Sequence, residues 1–256
     1  MGRANATLDG VKTSDLGVIV INTRRGIQTD PFLPRQDIVE DDSFYSDKPL
    51  HYGTTKQPLE FEVTFFKEGE WTQQQKSQFA RMIDPDHEDF VEYFTDQDPN
   101  KVYYVKYNDS IDFYNGGTEG GYFTVRFRCD SPYAYSPIYE DSHDFSVNAV
   151  NTFTFNNQGD KSCKPEIWIT KVGTGDIKII NKSDGDRTFE ITSIDNTETV
   201  YVDNEHGYIE SSLEVADVYR YDNHNGVYLE IPIGTNTIEV QGQCHLELKY
   251  NFTIKG

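Results

Sequence analysis

Arg128-Cys-Asp-Ser-Pro-Tyr-Ala-Tyr-Ser-Pro137 is where this chain changes character. Before it, Phe123, Val125, Phe127 and Cys129 alternate with Thr124, Arg126 and Arg128, the period-two pattern of a strand with one buried face. Two prolines and two serines then end the alternation. Upstream lie one helical pattern and a long polar stretch; downstream, short strand patterns recur every ~8–12 residues. The segment therefore reads as a hinge between two β domains, 1–135 and 136–256. Cys129 is the last inward residue of its strand and not a nucleophile.

Working upstream, Leu59–Phe65 alternates with Leu59, Phe61, Val63 and Phe65 on one face and Glu60, Glu62 and Thr64 on the other. A helix is expected from Thr72 to about Ile83. Thr72 caps its first turn and Gln75 completes a capping box, while Asp84-Pro85 stops it. Phe79, Met82 and Ile83 form its apolar stripe, and Trp71 takes the staple position before the cap. Phe90–Phe94 and Val102–Tyr107 read as further strands, and Asn115–Gly121 as a long hairpin loop. Residues 8–22 read as strand, turn and strand, with Asp9-Gly10 as the turn. The stretch Thr23–Pro58 is polar, Pro-bearing and weakly periodic. Length without pattern inside a folded domain indicates either a surface loop or an interaction arm.

Working downstream, strands are expected at Asn151–Phe155, Glu166–Val172, Asp176–Asn181, Thr188–Thr192, Thr199–Asp203, Gly207–Glu210, Val227–Ile231, Thr237–Gln241 and His245–Ile254. Gly159-Asp160, Gly173-Thr-Gly175, Ser183-Asp-Gly185, Asn225-Gly226 and Gly234-Thr235 punctuate them. Such regular short strands predict an antiparallel sandwich. The whole is an all-β fold with one helix in the first domain. Trp168 is out of phase with Ile167 and Ile169, so either Trp168 or the isoleucines face outward unless the strand is buried on both faces. The last arrangement is the one expected here.

Composition agrees. Sixteen Phe and 17 Tyr offset a hydrophobic content of only 36%, because each buried aromatic removes ~150–250 Å² from water. The 43 acidic residues against 23 basic ones give a net charge of −20. Duplex binding rests on Lys and Arg neutralising phosphates, so specific nucleic-acid binding is excluded. The charge serves solubility, or repels DNA that passes nearby. Three well-separated cysteines, Cys129, Cys163 and Cys244, fit neither a zinc site nor a disulfide framework and suggest a reducing compartment. The chain carries no signal-peptide core and no run long enough to span a bilayer, so no membrane is expected as a partner.

Chemistry is sparse. The six histidines form no HExxH or HxH pattern, and no G-x-S-x-G elbow, P-loop or GxGxxG occurs. Asp84–Asp89 reads as a solvated helix exit. Asp203-Asn-Glu-His-Gly207 reads as a turn, since its spacing fails the EF-hand pattern. No catalytic, cofactor-binding or metal-ligating residue is expected, and no enzyme. A glycosidase would lack a catalytic motif. The remaining small-ligand reading is a carbohydrate-binding sandwich that stacks Trp168 or a tyrosine on host cell-wall polysaccharide.

Several segments in order resemble the distal tail proteins of long-tailed bacteriophages. They are Leu8-Asp9-Gly10 with Ser14–Gly17, the Arg128–Pro137 junction, Asn157–Asp160 with Pro165, and Gly175–Asn181. Tyr201–Asp203 with Ile209 and Ser211-Ser212, Ile231–Asn236, and Gly242–Cys244 complete the series. Thr23–Pro58 matches least. The resemblance implies a ring-forming first β-sandwich domain carrying the helix and a galectin-like second one. It implies a homo-oligomeric ring, a hexamer, between the major tail tube protein and the tail-tip hub, with receptor-binding proteins as further partners. DNA would cross its centre only in transit. The location would be the virion's tail tip or baseplate, after assembly in the bacterial host cytoplasm.

Overall fold

The computed structural model describes residues 4–21, 23, 24, 27, 28, 31–213 and 220–256. They divide into two compact units, Met1–Tyr135 with Ile254–Gly256, and Ser136–Thr253. The fold is all-β, with a single α-helix among the described residues.

In the first unit one antiparallel sheet runs in the order Val11–Lys12, Ala6–Leu8, Val91–Thr95, Asp98–Tyr107, Gly121–Cys129, Glu60–Lys67, Ile19–Ile21. An Ala4–Val20 bridge brings its two ends together, so opposite walls of the sheet face across one core. The Asp9-Gly10 turn joins Leu8 to Val11. Both turn residues have positive φ, 47° and 76°, the type I′ geometry that matches strand twist. Phe65, Phe79 and Phe127 meet edge to face in the core, with centroids 5.0 and 6.4 Å from Phe65. The helix runs Gln73–Ile83, capped by Thr72 with the capping box formed. Trp71 is buried, donates its indole N–H to the Gly121 carbonyl at 3.0 Å, and packs on Phe79. A staple would instead meet the fourth helical residue, here Lys76.

The second unit is a sandwich. A five-stranded sheet runs Tyr139–Asp144, Cys244–Tyr250, Glu166–Lys171, Thr199–Asp203, Tyr208–Ser211, and a four-stranded sheet runs Val150–Asn157, Gly234–Gln241, Gly175–Asn181, Arg187–Ile194. Ile167, Ile169, Leu246 and Leu248 from the first pack in one cluster with Ile177, Ile179, Ile238 and Val240 from the second. Burying each such side chain contributes ~1.5–3 kcal/mol. A second tier of order comes from buried asparagines. Asn204 accepts the Leu229 amide at 2.8 Å, and Asn181 bonds Asn236 at 3.0 Å. These side chains satisfy loop backbone that no ladder reaches.

The Arg128–Pro137 segment is divided between the units. Asp130 donates its amide to the Tyr104 carbonyl and Ser131 accepts the Leu59 amide, both at 3.0 Å. Ser136 exchanges two bonds with Phe252, amide to carbonyl at 2.8 Å and amide to hydroxyl at 2.9 Å. Each end is thus fastened into its own unit.

Three expectations need correction. The strand Glu166–Lys171 is not buried on both faces: Ile167 and Ile169 are inward, while Trp168 is half-buried on the outer face beside Tyr201. Val227–Ile231 is not a ladder strand. Leu229 and Ile231 alternate inward as a strand would, but the Leu229 amide bonds to the Asn204 side chain, and only Ile231 bridges, to Cys163. Thr23–Pro58 is not patternless, since Gln36–Asp41 and Leu50–Lys56 pair as an antiparallel hairpin. Residues 22, 25, 26, 29 and 30 of that stretch lie outside the described residues.

Candidate assembly surface

The hairpin Gln36–Asp41/Leu50–Lys56 places neither face against a core. Its register slips at a bulge between Val39 and Glu40, which twists a strand locally. Ile38, Val39, Leu50 and Tyr52 are all at least half exposed. At the tip Phe44 and Tyr45 are 94% and 95% exposed and meet edge to face, centroids 5.3 Å apart and planes at 85°. Apolar groups left in water together on one element mark an interaction surface, because their burial is the dominant favourable term in association.

The hairpin's base is held firmly. Gln57 donates its amide side chain to Asp37 at 2.8 Å, and Arg35 donates from Nε at 3.2 Å. These bonds, the Gln57 one foremost, hold the Asp37 carboxyl below its ordinary range. Lys56 donates Nζ to the hydroxyl of buried Tyr133 at 2.6 Å. The arm is therefore fixed at its root and bare at its tip.

A second exposed surface lies on the outer face of the first unit's sheet. The register aligns Ile19, Phe66, Tyr122 and Tyr114 in one row across four strands. Tyr114 and Tyr122 stack at 4.7 Å with planes 12° apart and are 50% and 39% exposed. Beyond this row come Thr64 and Thr124, hydroxyls 3.1 Å apart, and then the ion pair Glu60–Arg126 at 2.7 Å. The face thus grades from apolar to charged along the strands.

The groups that chemistry would need are placed otherwise. Burial pushes the thiols of Cys129 and Cys163 up to about 12 and that of Cys244 to about 11, and all three are free. A thiol so raised is not a nucleophile at neutral pH. Among the described residues no three His, Cys, Asp or Glu converge to hold a metal. Asp84, Asp86, His87, Glu88 and Asp89 are solvated. Asp203 caps its own turn, accepting the amides of Glu205 and His206 at 2.9 and 3.0 Å, with Gly207 at φ 68°. No described helix is long and apolar enough to cross a membrane.

The sequence marks the stretch as a loop or an arm by its lack of pattern, but not its exposed apolar residues. The signal was the pair Phe44-Tyr45 between acidic residues, a hydrophobic doublet that no strand or helix period explains.

The described residues form an all-β protein of two units with an anchored arm bared to solvent. Residues 1–131 match the model of a phage tail protein N-terminal domain, and residues 133–250 that of a phage tail C-terminal domain. The chain belongs to this phage tail protein family. It is 23% identical over 245 residues to the SPβ prophage-derived uncharacterized protein YomH of Bacillus subtilis, covering 95% of each chain. Its fold is similar to that of the SPP1 Dit protein, described as a paradigm of the hub adsorption apparatus in phages infecting Gram-positive hosts. That match has a TM-score of 0.68 and 15% identity, over 97% of this chain and 99% of the other. A chain of the phage P2 baseplate in its activated conformation matches with a TM-score of 0.57 and 10% identity, over 98% of each. The resemblance to distal tail proteins read from the sequence is borne out by these matches.

Proposed function

We propose that this protein is a non-enzymatic building block of the distal tail tip, closing as a ring of six copies that joins the tail tube protein to the tip hub. The ring surrounds a channel through which DNA passes without specific contact, and receptor-binding proteins attach around it. The protein assembles in the host cytoplasm and ends in the virion. The observation that carries this reading is the arm, rooted by Lys56–Tyr133 and ending in Phe44 and Tyr45 at near-complete exposure. Its apolar side chains find a partner if it crosses to a second copy, and repeating one heterologous contact closes a ring when the rotation closes. The net charge of −20 supports the channel, since acid near a lumen keeps a polyanion from sticking. The Ile19–Phe66–Tyr122–Tyr114 row supplies a complementary apolar surface in the same unit.

The test is the mass of the assembled particle. Light scattering and negative-stain microscopy of the full chain should find rings with a central hole, and removal of residues 23–58 should leave monomers. Rings that survive the deletion would sink the arm; a wild-type chain that stays monomeric at all concentrations would sink the ring.

A further inference from the structure

The outer face of the second unit's five-stranded sheet has a regular arrangement that core packing does not require. Its register sets three rows across the strands. The middle row reads Ser142, Glu247, Trp168, Tyr201, Glu210. On one side lie Glu140, Lys249, Glu166, Asp203 and Tyr208, and on the other Asp144, His245, Thr170 and Thr199. Trp168 and Tyr201 stand directly opposite each other at the centre, centroids 4.9 Å apart and tilted by 38°, with Tyr208 6.3 Å from Tyr201. Trp168 and Tyr201 are half-buried, and Tyr208 is 47% exposed. Carboxylates flank this aromatic strip on three sides, and on the fourth the hydroxyls of Thr170 and Thr199 meet at 2.8 Å.

An aromatic strip flanked by carboxylate acceptors suits a ligand with an apolar face and a hydroxylated edge. Pyranose rings have that form: their C–H faces lie on aromatic rings, and their hydroxyls donate to carboxylates in charge-assisted bonds. An aromatic pair that served the sheet alone would need only its cross-strand contact. The excess of carboxylates over Lys249 and His245 disfavours phosphate-bearing polymers. Burial and the Glu166 and Asp203 carboxylates push the Tyr201 phenol up to about 12, so it stays a neutral hydrogen-bonding group.

We infer that this face, centred on Trp168 and Tyr201, is a binding site for neutral, hydroxyl-rich oligosaccharide. The inference is independent of ring formation, since every residue it uses lies on one sheet of one unit. It gives the tail-tip component a second task, contact with uncharged glycan on a cell surface.

The probes are tetra- to hexasaccharides of N-acetylglucosamine and of glucose, titrated into the full chain by calorimetry. The same series is followed by fluorescence in the variant Trp71→Phe, where Trp168 is the only tryptophan. Saturable binding of at least one series is expected at or below about 10 mM, the weak end of the affinity scale. Trp168→Ala and Tyr201→Ala should each weaken it by ~tenfold or more, and Glu210→Gln and Glu247→Gln by a few-fold, with thermal midpoints close to wild type. Poly(glycerol phosphate) should not compete. Absence of saturable binding to every oligosaccharide, or binding unchanged in Trp168→Ala by calorimetry, overturns the site. Calorimetry on the wild-type chain decides the matter even if Trp71→Phe fails to fold.

Discussion

The arm and the second unit spend apolar residues in opposite ways. In the sandwich Ile167, Ile169, Leu246 and Leu248 are sealed against the facing sheet, and the chain alone completes that burial. In the arm Ile38, Val39, Phe44, Tyr45, Leu50 and Tyr52 stay in water, and the chain alone cannot bury them. Equal chemistry therefore does unequal work. One region gains its free energy on folding, and the other leaves it available for the association proposed above.

That contrast can be broken from either side. The largest effect is expected at Arg220. Burial alone would raise the Glu198 carboxyl, but Arg220, the Asp195 amide and the Ser211 hydroxyl hold it below its ordinary range. Arg220 reaches it at 2.7 and 2.5 Å, with the Glu198 side chain fully buried. Arg220→Ala strands that charge and should cost ~3–5 kcal/mol, read as a lower urea midpoint for the second unit with the arm untouched. Substituting both Phe44 and Tyr45 by Ser should do the reverse. Self-association should weaken by more than ~2 kcal/mol, read by sedimentation, while the unfolding midpoint stays unchanged at dilutions where both proteins are monomeric. A drop in that midpoint would mean the tip packs within its own chain.

Smaller effects sharpen the picture. Thr72→Ala removes the helix cap and should cost ~1 kcal/mol by chemical denaturation, confined to the first unit. The smallest concerns pH. Burial, partly offset by Asp141, lowers the pKa of His143, whose Nε2 has no hydrogen-bond partner; burial also lowers that of His224. The unfolded chain then binds more protons than the folded one below about pH 6.5. Stability should be full above that value and decline as pH falls below it. Replacing His143 with Phe, a ring that suits the stack on Phe145 and Phe153, should flatten the decline. His206 has the opposite sign, raised by its bond to Asp203, but it is 77% exposed and solvent screens its contribution. A slope that steepens as pH rises above 6.5 would contradict this account.

What could be read from the chain follows the same division. Strands with one wet and one dry face announce themselves, as Glu60–Lys67, Gly121–Cys129 and Cys244–Tyr250 do, and the capping box at Thr72 fixes the helix start to within a residue. Strands with no dry face do not. The arm's two strands and the edge strand Tyr139–Asp144 are exposed nearly throughout, so no alternation marks them. Val227–Ile231 errs the other way: its burial alternates as in a ladder strand, yet the side chains of Asn225 and Asn204 accept the Val227 and Leu229 amides. At Trp168 the period is right, and the expectation of a strand buried on both faces is not.

Composition and local pattern alone determined the β class, the helix after Thr72, the change of character at Arg128–Pro137 and the membership that ordered turn residues betray. These depend on short-range physics: side-chain alternation, caps and turns. Only the tertiary structure decided that the first unit's sheet closes on itself through Ala4 and Val20, that the arm is a rooted hairpin with a bare tip, and that Trp168 meets Tyr201 on an open face. Each of these joins residues far apart in sequence through strand register, and register is set by which faces find a core to bury.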